Sequence, residues 1–241
     1  MTEHLYVTDA YLQSFEATVT GHVDDGVVLD RTAFYPGGGG QPADEGFLSS
    51  GEKRWRVTAV KRVQGEPVHY LEGDDLPAVG SAVTGQLDWE RRYQLMRTHT
   101  AMHVLCGVIW RDYGASVTGG NMDPLQGRMD FEFETMRAEL VGEIERAVNA
   151  EVTAARPVEV RILPRAEAFH IPDLIRTKIN LLPEGIEEVR TVELKGLDLQ
   201  ADGGTHVANT SEVGPIRIVD YKSKGKINKR IYIALEETAP G

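Results

Sequence analysis

The chain has 241 residues and a formal net charge of −11, from 26 Lys and Arg against 37 Asp and Glu. That length buries roughly 70% of the open chain's surface on folding, ample for one or two cores, and no run of about 20 apolar residues is present to span a membrane. The acidic balance excludes a general nucleic-acid coating protein, the single cysteine excludes an internal disulfide, and Met1–Tyr6 lacks the basic and apolar runs of a secretion signal, so a cytoplasmic protein with neither a membrane nor a DNA partner is expected.

Residues 1–88 read as β structure. Phe15–Val23 and Gly26–Phe34 flank an Asp-Asp-Gly turn at residues 24–26, Trp55–Val63 alternates apolar and polar residues, and short runs follow at Pro67–Leu71 and Ala82–Leu87. Short strands at regular turn spacing predict a small barrel or sandwich. This region holds 6 basic and 14 acidic residues, a net of −8. At Asp88 the pattern changes. Asp88 can cap a helix over 89–111, with Leu95, Met96, Met102, Leu105 and Ile109 as its apolar face. A strand-like pair at Ala115–Gly119 and Gly127–Glu134 leads to a second helix over 136–154. Strands near Pro157–Leu163, Glu188–Glu193, Pro215–Tyr221 and Arg230–Leu235 complete the chain. The fold class is therefore α+β, with an N-terminal barrel domain at 1–88 and a second domain at 89–241.

Three elements carry candidate chemistry. His99 and His103 lie four apart on the first helix, so both imidazoles reach one point on its face. Zinc is the default ion for such a nitrogen-rich pair. Thr100 stands where the metalloprotease motif needs its glutamate. Cys106 shares that helix face, but its apolar neighbours favour core packing. The second element is Gln200–His206, where Asp202 and His206 flank Gly203 and Gly204. Paired glycines allow φ > 0 and a tight turn, which would bring the carboxylate and imidazole together. The third is Arg31–Asp44, whose four glycines, Gly37–Gly40, leave backbone amides able to approach a phosphate or ribose. It lacks the Lys-Ser/Thr ending of a P-loop. His4, His22, His69 and His170 have no partner motif and read as surface or packing residues.

Phe34–Asp44, Arg97–Leu105 and Gly203–Val207, in this order, resemble the alanyl-tRNA editing family, AlaX, which is similar to the editing domain of alanyl-tRNA synthetase. Arg128–Phe131, Glu145–Asn149 and Val189–Glu193 support the match, which spans nearly the whole chain. The resemblance implies a small N-terminal β-barrel joined to a two-layer α/β editing domain. It implies a free-standing hydrolase that removes serine, or glycine, from wrongly charged tRNA(Ala). Zinc ligands map onto His99, His103 and His206. The family's fourth ligand is often a cysteine four residues before the last histidine. Here that residue is Asp202, so either its carboxylate or a water completes the set. Thr32 matches the threonine implicated in recognising the serine hydroxyl. Gln41 closes the glycine loop, and amides of that loop or of Gly203, Gly204 and Thr205 could serve an oxyanion. Two other classes compete: a zinc hydrolase of another small ester or amide, and a non-catalytic tRNA-binding module with a structural metal.

Charge is unevenly distributed. Between Arg217 and Arg230 stand six cations against Asp220 alone, a local +5. Lys222, Lys224, Lys226 and Arg230 are therefore the expected contacts to the tRNA acceptor end, joined by Arg91, Arg92 and Arg97.

Overall fold

The computed structural model describes residues 1–176 and 185–237. The chain divides into two compact units, Met1–Gln94 and Leu95–Gly241. In the first, the strands are β1 (Glu3–His4), β2 (Ser14–Val23), β3 (Gly26–Leu29), β4 (Arg31–Thr32), β5 (Gly46–Ser50), β6 (Lys53–Val63), β7 (Glu66–Leu71) and β8 (Ala82–Leu87). Six of these close a barrel in the order β2-β3-β7-β6-β5-β8, while β1 pairs in parallel with β4. Alternation makes the barrel. Trp55, Val57 and Val60 of β6, with Val19, Leu29, Leu48 and Val83 from other strands of the barrel, turn inward into one core. Sequence periodicity missed β5, because Gly46-Phe-Leu-Ser-Ser offers only two apolar residues.

Arg92 and Asp44 form a buried ion pair in this unit, with 0% and 1% side-chain exposure. Arg92 also donates to the carbonyls of Ala10 and Ala33, and Asp44 accepts from the Tyr35 amide at 2.6 Å. A buried charge pair persists only when its remaining hydrogen bonds are met, as they are here. Arg92 is thus structural, contrary to the sequence expectation of a phosphate contact.

Helix α1 spans Trp89–Tyr113. Asp88 caps it as expected, its Oδ1 accepting from the Arg91 amide at 3.1 Å, and Gly114 ends it at φ 62°. From Leu95 to Ile109 every residue is buried. The polar ones are held by partners: Thr98 Oγ1 accepts from the Leu125 amide at 2.9 Å, and Arg97 donates to the carbonyls of Val213 and Glu236. Arg97 therefore faces backbone oxygens rather than a nucleic acid.

The second unit also holds β9 (Val117–Asp123), β10 (Gln126–Glu132), α2 (Ala138–Thr153), β11 (Val158–Pro164), α3 (Arg165–Ala168), β12 (Glu188–Leu194), β13 (Asp198–Ala201), β14 (Ile216–Ser223) and β15 (Asn228–Leu235). A four-stranded antiparallel sheet runs β14-β15-β10-β9, and a three-stranded one β11-β12-β13. Helix α2 satisfies β14's backbone: Asn149 both donates to the Ile216 carbonyl and accepts from its amide, and Glu145 accepts from the Ile218 amide. Strand β13, four residues long with only one large apolar side chain, carried no strand signal in the sequence.

Candidate metal centre

Helix α1 and the loop after β13 bring four side chains to one point. Ligand atoms of His99, His103, Asp202 and His206 all lie within 4.8 Å of one another. Asp202 sits between two of the imidazoles, its Oδ1 3.5 Å from His99 Nε2 and its Oδ2 3.1 Å from His206 Nε2. The His99 and His206 rings stack at 4.2 Å between centroids, with His103 edge-on to both.

The local backbone explains how so short a loop delivers two donors. The Gly204 amide donates to Asp202 Oδ2 at 2.7 Å, and Arg190 donates to the Asp202 carbonyl at 2.9 Å. The expected left-handed glycines are absent here: neither Gly203 nor Gly204 has positive φ among the described residues. The aspartate side chain folding over the Gly204 amide makes the turn instead. Gly204 thus supports the loop through its amide, while a Cβ added at Gly203 would meet nothing within 4 Å, so that backbone faces open space.

Each imidazole also has a partner outside the cluster. His103 Nδ1 lies 3.0 Å from Asp198 Oδ2, His206 Nδ1 lies 3.1 Å from Thr100 Oγ1, and His99 has a hydrogen bond to the Thr205 backbone. Such outer partners fix ring orientation and tautomer and leave the opposite nitrogen for an ion. Asp198 itself has no exposed side-chain surface and is held by Gln200 Nε2 at 2.6 Å and by Arg176 at 3.5 Å. It can come this close because Gly107 faces it: a Cβ there would lie 2.8 Å from Leu197 and 3.0 Å from Asp198. Asp198, Thr100, Gln200 and Arg176 were not singled out as site residues from the sequence. The legible sign was a carboxylate four residues before Asp202 on a short polar strand.

Electrostatics prepare the donors for a cation. Burial lowers the His99 pKa to about 4, only partly offset by Asp202, and burial with the neighbouring His99 lowers His206 well below its usual value. Both rings are neutral near pH 7. Burial also opposes charge on His103, but the Asp198 hydrogen bond and charge prevail and raise its pKa, increasing its basicity as a donor. Burial would keep Asp202 protonated, yet the surrounding imidazoles hold its carboxyl well below the usual range. Three imidazole nitrogens and one carboxylate form a donor set that fits zinc. Cys106 stays out of the set. It is buried, accepts a contact from Gln200 Nε2 at 3.3 Å, and burial raises its thiol pKa well above normal.

Thr32 and Gln41 belong to the first unit and are buried. Thr32 Oγ1 lies 2.8 Å from His69 Nε2 and accepts from the Phe34 amide at 3.1 Å, while His69 Nδ1 lies 3.0 Å from the Val27 carbonyl. Burial lowers the His69 pKa to about 4, so the ring is neutral. Its Nδ1–H donates to Val27, and its Nε2 accepts the Thr32 proton. Gly37–Gly40 all have positive φ, as the run of glycines requires. The Gly38 and Gln41 amides are spent on each other's carbonyls at 3.0 Å, so that part of the loop is self-paired rather than bare.

On the β14–β15 hairpin, Lys222, Lys224 and Lys226 are exposed. Lys222 pairs with Asp220, Arg230 makes a two-pronged pair with Asp130, and Lys229 turns inward to the Gly225 and Lys226 carbonyls. Asp220 is already part of the local +5; Asp130 and, at 3.6 Å from Arg217, Glu145 each offset one further charge, so an excess of +3 remains on the hairpin. No helix among the described residues is long and apolar enough to cross a membrane.

Comparison with known proteins gives a consistent picture. Residues 5–91 match the family described as tRNA synthetases class II (A), and residues 189–232 match that described as threonyl and alanyl tRNA synthetase second additional domain. The chain is 40% identical over 240 residues to the alanyl-tRNA editing protein AlaX-M of Saccharolobus solfataricus, covering 98% of this chain and 100% of that protein. It is 39% identical over 241 residues to the protein of that name from Methanosarcina barkeri, covering 98% and 99%. It is also 43% identical over 225 residues to the alanine–tRNA ligase of Pyrobaculum aerophilum, covering 90% of this chain and 25% of the ligase.

Proposed function

Because the chain belongs to the alanyl-tRNA editing family, we propose that it is a trans-editing deacylase that hydrolyses wrongly charged tRNA(Ala) in the cytoplasm, chiefly removing serine and secondarily glycine. The observation that carries this reading is the convergence of His99, His103, His206 and Asp202 on one point, each imidazole oriented by an outer partner.

The substrate is an ester between an amino acid and the terminal adenosine of tRNA. A zinc ion held by the three histidines and Asp202 would supply a Lewis acid that polarises the ester carbonyl or a bound water. Asp198, Thr100 and the Thr205 backbone hold the imidazoles still. The Asp202–Gly204 hydrogen bond fixes the loop, and the Gly203 amide beside open space is the candidate donor to the oxyanion, with Thr205 next to it. Gln41 shapes the glycine loop.

Selection against alanine rests on one hydroxyl. A buried polar group that requires that hydroxyl discriminates far more strongly than an apolar pocket does. Thr32 fits this role with a defined polarity: its proton goes to His69, one lone pair takes the Phe34 amide, and the other remains for a donor such as the serine hydroxyl. Lys222, Lys224, Lys226 and Arg230 contact tRNA phosphates. Metal analysis together with seryl-tRNA(Ala) hydrolysis for His103→Ala tests the reading: loss of both supports it, and a variant with full zinc and full activity contradicts it.

A further inference from the structure

The net charge of −8 over residues 1–88 conceals a segregation that only the barrel reveals. Six cations stand in that stretch, and five of them, Lys53, Arg54, Arg56, Lys61 and Arg62, fall on the single strand β6. The sixth, Arg31, is paired with Glu3. Trp55, Val57 and Val60 point into the core, which turns Arg54, Arg56 and Lys61 to the outside, and all three are exposed.

Their surroundings preserve the charge. The Arg54 guanidinium lies 3.6 Å from the centre of the Phe47 ring, and Lys61 Nζ lies 5.1 Å from that of Tyr70. Phe47 is the register partner of Arg56 across β5–β6, and Tyr70 lies on β7, so aromatic residues line both sides of the strand. An aromatic face steadies a cation without cancelling its charge, unlike a carboxylate. Among the described residues neither Arg54 nor Lys61 has an acidic partner within salt-bridge distance, whereas Lys53 is matched by Asp75 and Arg56 more loosely by Glu45 at 3.5 Å. From Arg54 to Lys61 the strand advances about 23 Å, long enough to run beside several successive backbone phosphates.

We propose that the outer face of β6, through Arg54, Arg56 and Lys61, is a second RNA-contact surface that binds the sugar-phosphate backbone of the tRNA whose 3′ end is edited. Acids crowd the rest of the barrel, so the stripe selects an orientation as well as supplying affinity: a polyanion lying elsewhere on the barrel is repelled. Contacts of this kind carry no base information and fix position.

The inference rests on the tRNA-editing reading, and the test separates the two. Affinity for uncharged tRNA(Ala) transcript is measured by fluorescence anisotropy from 50 to 200 mM salt for the wild type, for the triple variant R54Q/R56Q/K61Q, and for the lysine-retaining R54K/R56K. Serine release from seryl-tRNA(Ala) is measured alongside. Loss of three phosphate contacts lowers the slope of log K against log salt by about 2 to 3, so wild-type affinity should fall about 40-fold more across that range than the triple variant's. R54K/R56K should keep the wild-type slope, and R31Q, off the stripe, should do the same. A triple variant with wild-type affinity and slope overturns the surface while leaving the editing reading intact. A wild type that binds tRNA but never releases serine overturns the editing reading instead. A triple variant and an R31Q variant that lose equal affinity also overturn the surface, since that marks a general charge effect.

Discussion

Replacing Asp198 by asparagine removes one charge and almost no volume from beneath the metal centre. Asp198 Oδ2 accepts from His103 Nδ1 at 3.0 Å and from Gln200 Nε2 at 2.6 Å, inside a pocket where its side chain has no exposed surface. A hydrogen bond to a charged group contributes about 1.5–3 kcal/mol and a neutral one about 0.5–1.5, so the swap should cost about 1–1.5 kcal/mol of grip on the His103 ring. Loss of the carboxylate's pull on imidazole basicity adds to this, and outer-partner losses of this type cost 10–100-fold in metal affinity. Zinc affinity should therefore fall about 10- to 100-fold, read by competition with a chelator of known strength, with near-ultraviolet circular dichroism confirming the fold. Glutamine at Gln200 remains, but Arg176 loses its counter-charge, so Arg176→Met in the same background should recover stability without recovering zinc affinity. A folded Asp198→Asn protein that holds zinc within twofold of the wild type would refute the orienting role.

Asp44→Ala should destabilise the protein by about 3–5 kcal/mol in chemical denaturation, because it strands the fully buried Arg92; a loss under 1 kcal/mol would mean Arg92 finds water or another partner. His69 stays neutral in the fold down to about pH 4, whereas the unfolded chain takes up its proton near pH 6.5. Its contribution is fully present above that value and is lost as pH falls toward 4, by up to about 3 kcal/mol; His69→Gln should flatten this acid-side slope, and an unchanged slope would count against the buried neutral ring. Thr32→Val should bring the rates of serine and alanine release together while leaving zinc content unchanged, and undiminished serine preference would remove Thr32 from selection.

The sequence was most legible where periodicity and ligand spacing coincide with structure. Alternation in β6 and β8, the Asp88 cap and the helix carrying His99 and His103 all stand within a few residues of the reading, and the ligand atoms of His99, His103, Asp202 and His206 lie within 4.8 Å of one another, a grouping to which the two four-residue spacings and the family resemblance together pointed. What escaped has physical reasons. Strands β5 and β13 are short and polar, and they exist because neighbours complete their hydrogen bonds, which no local pattern encodes. Asp198 and Thr100 act through contacts 95 and 106 residues away in sequence. His69 looked idle because its partner Thr32 lies 37 residues back, on another strand. Charge counting misled at particular residues: Arg92 and Arg97 are buried structural cations and Arg230 of the hairpin is paired with Asp130, while an acidic barrel carries five of its six cations on one strand.

The most direct test is hydrolysis of seryl-, glycyl- and alanyl-tRNA(Ala) by the wild-type chain, before and after chelation and after zinc is restored. Serine should be released much faster than alanine, the activity should vanish with the metal, and zinc should bring it back. Equal release of serine and alanine, or serine release that survives complete removal of metal bound at His99, His103, His206 and Asp202, would contradict the metal-centred editing mechanism.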